Sequence, residues 1–462
     1  MKLENIRQVY FLGVGGIGMS ALARYFVQHG VKVLGYDRTS TELTNALSEE
    51  GIHILFKDTI KDFHAQLKST NSKLLKNSTL IIRTPAMPAE SKILNYLNGE
   101  GYKIKKRAEV LGLISNHYFS IAVAGTHGKT TTSAMVAHIL KVAKVDVLAF
   151  LGGIASNFNS NYVEAETEYP FVVLEADEYD RSFLHLTPMV SIITSVDADH
   201  LDIYRNANDF VDGFVDFSKK TRTDGMLIVK QELTAKFKRP HVTYSIRLEA
   251  DFMGKNIKVK DGAFVFDLQY GDSKINNVVL GMAGKHNVEN AVAACAACLD
   301  LGVTPLQLRK GLKTFKGVKR RFEYIVLQKD FVYIDDYAHH PEELRAAIES
   351  VRMMYPAKKI TGIFQPHLFS RTRDFAADFA RSLSMLDKVI LMDIYPAREK
   401  SIKGVTSKLI FDKIDNKNKV LLSASAVLDY LKKNKPGQVL MTLGAGDIDT
   451  LVKPIANLFR KK

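Results

Sequence analysis

The chain has 462 residues, 46% of them apolar and 25% charged, the balance of an ordinary globular protein, and at ~150 residues per domain it predicts about three domains. No apolar stretch is long enough to span a bilayer, the start does not read as a signal peptide, and two cysteines, Cys295 and Cys298, cannot build a disulfide framework; membrane insertion is not expected and a cytoplasmic location is. The net charge of +14 raises nucleic-acid binding, but the basic residues are scattered through 57–76, 103–107, 255–260 and 460–462 without interleaved aromatics, which speaks against it.

A strand ending at Leu12 runs into Gly13-Val14-Gly15-Gly16-Ile17-Gly18, which opens a helix through Met19, Leu22, Ala23 and Phe26. A second strand over 31–35 then delivers Asp37. Such glycines let backbone N–H groups and a helix N-terminus approach a pyrophosphate. Taken alone, this spacing with an acid about twenty residues on is a dinucleotide fingerprint, so an NAD-dependent oxidoreductase is one reading. The loop does not say whether adenosine or uridine hangs from the pyrophosphate. A strand over 80–83 leads to Thr84-Pro85, and Lys105, Lys106 and Arg107 suit a diphosphate, with a surface ion pair as the alternative for Arg107. The first domain is expected to end near residue 117.

Residues 120–133, SIAVAGTHGKTTTS, read as strand, glycine loop and helix. Position 123 is Val where the strict phosphate-loop pattern has Gly, so the loop is a shortened one. Lys129 can reach terminal phosphates and Thr130 offers a hydroxyl to Mg²⁺. The next buried strand, over 171–174, ends in Glu175-Ala176-Asp177-Glu178-Tyr179-Asp180, and one over 190–195 ends in Asp197-Ala198-Asp199-His200. Lys129 with Thr130, Glu175 and His200 are therefore expected to converge at one sheet edge, where Mg²⁺ is held in such proteins.

Residues 221–280 read as short strands and turns without evident chemistry. A helix then starts at Gly284-Lys285-His286-Asn287, and Asn287 and Asn290 share a face whose amides can read an adenine edge, capping being the alternative for Asn287. Cys295 and Cys298 on the same helix read as small core residues. Residues 316–322, KGVKRRF, look like a basic hinge. Strands over 332–334, 360–364 and 439–443 follow, ending in Asp335-Asp336-Tyr337-Ala338-His339-His340, Gln365-Pro366-His367-Leu368-Phe369-Ser370-Arg371 and Gly444-Ala445-Gly446-Asp447. Polar groups at successive strand ends mark the ligand edge of a parallel sheet, and Arg371 can grip a carboxylate or phosphate bidentately.

The segments GVGGIGMS, GTHGKTTT, EADEYDRSFLHL, DADHLDIY, GKHNVENA, GVKRRFE, DDYAHHP and FQPHLFSRT follow one another in the order of the Mur ligase family, which the chain resembles nearly end to end. The resemblance implies a three-domain α/β protein. Residues 1–117 would be a Rossmann-like domain for a UDP-sugar, 118–320 a central P-loop-type ATPase domain, and 321–462 a Rossmann-like domain closing over ATP and binding the amino acid. The implied reaction is ATP-dependent ligation of L-alanine to the lactyl carboxylate of UDP-N-acetylmuramate through an acyl phosphate, in peptidoglycan precursor synthesis. ATP and Mg²⁺ are the implied cofactors, with two ions and Mn²⁺ able to substitute, and the protein is expected as a monomer or weak dimer.

Residue by residue, the resemblance implies that Gly125, Thr126, His127, Gly128, Lys129, Thr130 and Thr131 cradle the ATP phosphates, with Lys129 on the β and γ groups. Thr130 and Glu175 would hold one Mg²⁺ and His200 the second. Asn287 and Asn290 would bind adenine, and Arg321 and Asp336 would contact ATP. His339, His367 and Arg371 would orient the muramoyl group and the alanine, with His127 and Tyr337 as further substrate contacts. Gly13, Gly15, Gly16 and Gly18 would line the UDP diphosphate, with Arg107 beside them and Asp37 near the uridine; the fingerprint would thus serve UDP instead of NAD. Two departures stand out: Leu368 follows His367 where many relatives carry Arg, and Arg83-Thr84-Pro85 stands where small hydroxyl residues are common. The murein tripeptide recycling ligase shares these motifs, but the short segment after Asp180 favours L-alanine. A non-catalytic nucleotide-binding protein would need a broken catalytic set, and Lys129, Thr130, Glu175, His200 and Arg371 are all present.

Overall fold

The computed structural model describes residues 3–197, 204, 206–397 and 399–460. By internal packing the chain divides into two units, one built from 1–253, 269–273 and 290–312, the other from 254–268, 274–289 and 313–462.

The first unit begins with strands β1 (Gln8–Leu12), β2 (Lys32–Tyr36), β3 (His53–Leu55), β4 (Thr79–Arg83) and β5 (Ile104–Lys106), all parallel, in the order β3-β2-β1-β4-β5. Every residue of β1 is buried, as expected of a central parallel strand covered on both faces. The strand order reverses at β1, which opens a crevice beyond Leu12, where the glycine loop lies. Gly13 has φ +88°, and a Cβ there would stand 2.5 Å from the Thr84 methyl, so only glycine fits.

The same unit continues with β6 (Phe119–Ala124), β7 (Val147–Ala155), β8 (Ser160–Val163), β9 (Phe171–Glu175), β10 (Val190–Ile193), β11 (Met226–Lys230) and β12 (Val242–Ser245), ordered β12-β11-β10-β6-β9-β7-β8. Of these, only β8 runs antiparallel, against β7. The strand expected over 190–195 stops at Ile193, where its partner β6 ends at Ala124. The helix Ile17–Gln28 packs on this second sheet, with Tyr25 5.7 Å from Phe150, and one apolar core runs from Phe11 and Phe26 to Leu174 and Phe214. Phe210, Phe214 and Phe217 lie on the helix Ala207–Lys220; Phe183 meets Phe214 edge-on and stacks on Phe217 at 5.1 Å. Each such buried phenyl contributes about 1.5–3 kcal/mol, and together they fasten the segment that follows Glu175.

The second unit contains most of a meander, β13 (Phe252–Lys260), β14 (Ala263–Tyr270) and β15 (Ser273–Leu280). It also holds a six-stranded sheet of β16 (Glu323–Leu327), β17 (Val332–Asp336), β18 (Ile360–Phe364), β19 (Lys388–Met392), β20 (Lys419–Leu422) and β21 (Val439–Leu443), ordered β16-β17-β21-β18-β19-β20. β16 is antiparallel and the rest are parallel; β16, β19 and β20 are not among the strands expected from the sequence. At the end of the basic stretch 316–322, Arg320 and Phe322 are tied to strand ends of the same unit. Phe322 N–H donates to Asp336 Oδ2 at 2.7 Å, Tyr337 N–H to the Arg320 carbonyl at 2.6 Å, and Arg320 Nη2 to the Gly444 carbonyl at 2.7 Å.

Cys295 and Cys298 are fully buried on the helix Lys285–Asp300, as their small apolar neighbours suggested. Among the described residues no helix is long and apolar enough to cross a membrane.

Candidate active site

The loop after β6 lies at the carboxyl edge of the second sheet, between β9 and β10. Its glycines are forced by proximity: a Cβ on Gly125 (φ +141°) would lie 2.0 Å from Thr194 Oγ1, and one on Gly128 (φ +84°) 2.6 Å from Asn290 Oδ1. Thr126 Oγ1 donates to the Asp197 carbonyl at 2.8 Å, and His127 N–H donates to Ser195 Oγ at 2.7 Å, so the loop is pinned before the helix Lys129–Val142 begins. The His127 ring stands 3.6 Å from Asp197. The helix N-terminus adds positive potential, which makes this end an anion site.

Lys129 Nζ donates to the Gly125 carbonyl at 2.5 Å and pairs with Glu178 at 2.8 Å. Burial alone would lower the lysine's pKa, but Glu178, Glu175 and Asp177 more than offset it and hold the ammonium protonated. Glu178, 2% exposed, is pushed up by burial, against the pull of Lys129. Thr130 Oγ1 donates to Glu175 Oε2 at 2.8 Å. A hydroxyl and a carboxylate side by side form a hard oxygen donor set, which fits Mg²⁺. Gly152 on β7 gives this carboxylate its room, since a Cβ there would lie 1.8 Å from Glu175 Oε2.

Arg107 reaches from the glycine-loop side to this cluster, its Nη2 bonded to Asp177 Oδ2 at 2.7 Å, and Lys106 pairs with Asp180 at 2.6 Å. Burial raises the Asp177 pKa, but Arg107 and Lys129 bring it below the usual carboxylate range. A Cβ on Gly18 would meet Arg107 Nη1 at 2.0 Å, so the guanidinium lies across the first turn of the helix that follows Gly16. Gly18, Arg107, Phe150, Gly152, Glu175 and Asp177 line one small cavity. Asp37 accepts from Gly15 N–H at 2.7 Å and Thr39 N–H at 3.2 Å, so its carboxylate braces the glycine loop. Asn290 is 9% exposed and lies against Gly128; Asn287, in the second unit, is 2% exposed and donates to the Ala283 carbonyl at 2.6 Å, a local turn contact. His200 lies outside the described residues.

In the second unit the ends of β17, β18 and β21 gather the other polar groups. Asp336 accepts from Phe322 N–H and from Ala338 N–H at 2.8 Å, and burial pushes its pKa up to about 7. Arg321 stacks over the Tyr337 ring, 4.9 Å from its centre, and stands 3.8 Å from Glu343. Arg371, 6% exposed, lies on the short helix Phe369–Asp374. The His339 ring meets His367 edge-on at 5.8 Å, and His367 stacks on Tyr395 at 5.8 Å. Leu368 has φ +70°, a backbone that glycine adopts more readily.

His339 Nδ1 donates to the Tyr337 carbonyl at 2.9 Å, leaving Nε2 as the acceptor. Burial drives its pKa down to about 3, so the ring is neutral at physiological pH. Because the folded pKa lies below the unfolded value, the folded ring refuses a proton that the unfolded chain accepts as pH falls below ~6.5. Its cost at pH 5 is about 2 kcal/mol, from ~1.36 kcal/mol per unit. Urea denaturation of wild type and His339→Gln at pH 7 and pH 5 checks this. The stability of the variant relative to wild type is expected to improve by about 2 kcal/mol between the two pH values. Equal pH dependence of the two proteins would refute the neutral, partly buried ring.

Glu178 and Gly152 carry roles that the sequence motifs did not assign. The three-residue spacing of Glu175 and Glu178 was the available signal for Glu178; Gly152 had none beyond a glycine inside a strand.

Comparison with known families gives three matches along the chain: "Mur ligase family, catalytic domain" over 8–119, "Mur ligase middle domain" over 123–298, and "Mur ligase, glutamate ligase domain" over 320–446. The UDP-N-acetylmuramate–L-alanine ligase of Parabacteroides distasonis is 46% identical over 466 residues, spanning 100% of this chain and 99% of that one. Its counterpart in Porphyromonas gingivalis is 48% identical over 458 residues, spanning 97% and 98%. The crystal structure of UDP-N-acetylmuramate-alanine ligase from Thermotoga maritima matches with TM-score 0.81 and 28% identity over 98% of this chain and 99% of that one. A murein peptide ligase from Psychrobacter arcticus shares the fold, with TM-score 0.69 and 22% identity over 99% and 100%. With relatives of this similarity along its whole length, and a phosphate loop whose lysine and threonine face a carboxylate cluster, the chain belongs to the Mur ligase family.

Proposed function

We propose that this chain is the ligase that joins L-alanine to the lactyl carboxylate of UDP-N-acetylmuramate at the expense of ATP, a step of peptidoglycan precursor synthesis. The observation that carries the reading is the identity of 46% and 48% to two L-alanine ligases over essentially the whole chain, with Lys129, Thr130 and Glu175 together at one sheet edge. A lactyl carboxylate oxygen attacks the γ-phosphorus, the bond from that phosphorus to the β,γ-bridging oxygen breaks, and ADP leaves with the electron pair. The alanine nitrogen, having lost its ammonium proton, then attacks the acyl carbon, the bond from that carbon to the phosphate oxygen breaks, and inorganic phosphate leaves with the electron pair while the nitrogen gives up a second proton to it as the amide forms.

Both reactants of the first step are anions, so charge neutralisation is the main requirement. Lys129 would exchange its contacts with Glu178 and the Gly125 carbonyl for β- and γ-phosphate oxygens, while Gly125 to Thr131 supply backbone donors. Thr130 and Glu175 would hold Mg²⁺, and His200 a second ion; Mn²⁺ would substitute in the same oxygen set. Bound metal supplies positive charge to the phosphates. Asn287, Asn290, Arg321 and Asp336 would serve the nucleotide. Arg107, Gly13, Gly15, Gly16 and Gly18 would serve the UDP-sugar. Arg371 would take a carboxylate, and neutral His339, with His367 and Tyr337, would orient the amino acid and muramoyl group. Nucleotide and UDP-sugar substrates point to the cytoplasm, and the site as read needs no second copy.

The test is phosphate release from Mg-ATP and UDP-N-acetylmuramate with L-alanine, with the muramyl tripeptide fragment, or with no amine. Release that depends on L-alanine is expected. Release only with the peptide would make this a recycling ligase, and release with neither would overturn the assignment.

A further inference from the structure

We propose that Asn161, which lies outside the assigned substrate and nucleotide residues, is a positioning residue that locks the glycine-loop helix onto the sheet carrying Glu175. Asn161 sits on β8 and is fully buried. Its Nδ2 donates to the Ile17 carbonyl at 2.6 Å and to Ser20 Oγ at 2.9 Å, and its Oδ1 accepts from Arg24 Nη1. Both donor hydrogens and the acceptor of the amide are therefore used, all by residues of the helix Ile17–Gln28. Ile17 and Ser20 belong to its first turn, directly after Gly15 and Gly16. A carboxylate in place of the amide could not donate, and an alkyl side chain could make none of the three bonds.

The other end of the connection is equally firm. β8 pairs with β7 at Tyr162 and Phe150, and β7 pairs with β9 at Phe150 and Leu174, one residue before Glu175. Arg24 is held in turn by Glu50, with Nη2 to Oε1 at 2.7 Å and Nε to Oε2 at 2.8 Å, and Gln28 Nε2 donates to Glu164 at 2.8 Å. The amide thus joins the turn that would hold the diphosphate to the strand register that would hold the metal carboxylate. Under the function proposed above, on which this inference rests, the lactyl carboxylate must meet the γ-phosphorus in line, and a misplacement of ~1 Å costs up to ~100-fold in rate.

The experiment compares full-length wild type, Asn161→Ala and Asn161→Asp in L-alanine-dependent phosphate release, with calorimetric titration of UDP alone and of ADP alone. Circular dichroism checks folding. Asn161→Ala is expected to lower kcat/KM for UDP-N-acetylmuramate by ~10-fold or more, and kcat with it, while ADP affinity stays within about twofold. Asn161→Asp is expected to behave alike. Kinetics within about twofold of wild type, or loss of UDP and ADP affinity in parallel, would overturn the positioning role. Should Asn161→Ala not fold, Arg24→Gln removes one of the three bonds, and the same selective loss, ~3-fold, is expected from it; wild-type behaviour would refute the proposal. A wild-type enzyme silent with L-alanine refutes the functional reading separately, and the UDP and ADP titrations then still decide whether Asn161 selectively serves the glycine loop.

Discussion

Lys129→Ala is expected to lower kcat/KM for L-alanine-dependent phosphate release by about 1,000-fold, the scale of removing one preorganised charge from a developing transition state. The ammonium is 2.8 Å from Glu178 and 2.5 Å from the Gly125 carbonyl, so it is already fixed at the helix N-terminus before a phosphate arrives. Its loss also takes away the cation that faces buried Glu178. Removing one partner of a buried ion pair costs about 3–5 kcal/mol, unless the remaining group neutralises itself. Burial already raises the Glu178 pKa, so in the variant the carboxyl takes up a proton and the fold survives, with stability falling as pH rises. Steady-state kinetics beside thermal denaturation at pH 6 and 8 separates the effects. An activity loss below tenfold in a folded protein would refute the assigned phosphate role.

Gly152→Ala tests the metal side with a single methyl group. The added Cβ would lie 1.8 Å from Glu175 Oε2, far inside van der Waals contact, so the carboxylate must swing away and give up its 2.8 Å bond from Thr130. Displacement of this size predicts a fall in kcat of about 100-fold and a higher Mg²⁺ requirement. Gly152 is exposed and its φ is not left-handed, so alanine costs the strand nothing by itself and the thermal midpoint should hold. Magnesium titrations of activity read the outcome. A wild-type kcat at ordinary Mg²⁺ would exclude Glu175 as the metal carboxylate.

The glycine loop at 13–18, the phosphate loop at 125–131 and the acids after β9 were legible because each is a local pattern: apolar run, glycine turn, helix. The ends of β17, β18 and β21 were legible for the same reason. Boundaries moved where the pairing partner ran out, as β10 ends where β6 ends at Ala124. The stretch 316–322 reads as a basic hinge in the sequence, and the ties of its last residues were not legible there because their partners, Asp336 and Gly444, come later in the chain. Asp37 and Arg107 carried spacing that pointed to a ligand; their contacts to Gly15 N–H and Asp177 could not be read from spacing, because those partners are brought close only by the fold.

The sequence by itself determined three α/β segments, the order of their loops and the membership of the Mur ligase family, since hydrophobic periodicity and glycine placement act over a few neighbouring residues. Only the tertiary structure decided that Glu178 is the counter-ion of Lys129, that Gly152 makes room for Glu175, that desolvation lowers the His339 pKa, and that Asn161 grips a helix 144 positions away. Such contacts follow from strand order and packing depth, and desolvation and close approach exist only after the chain has folded.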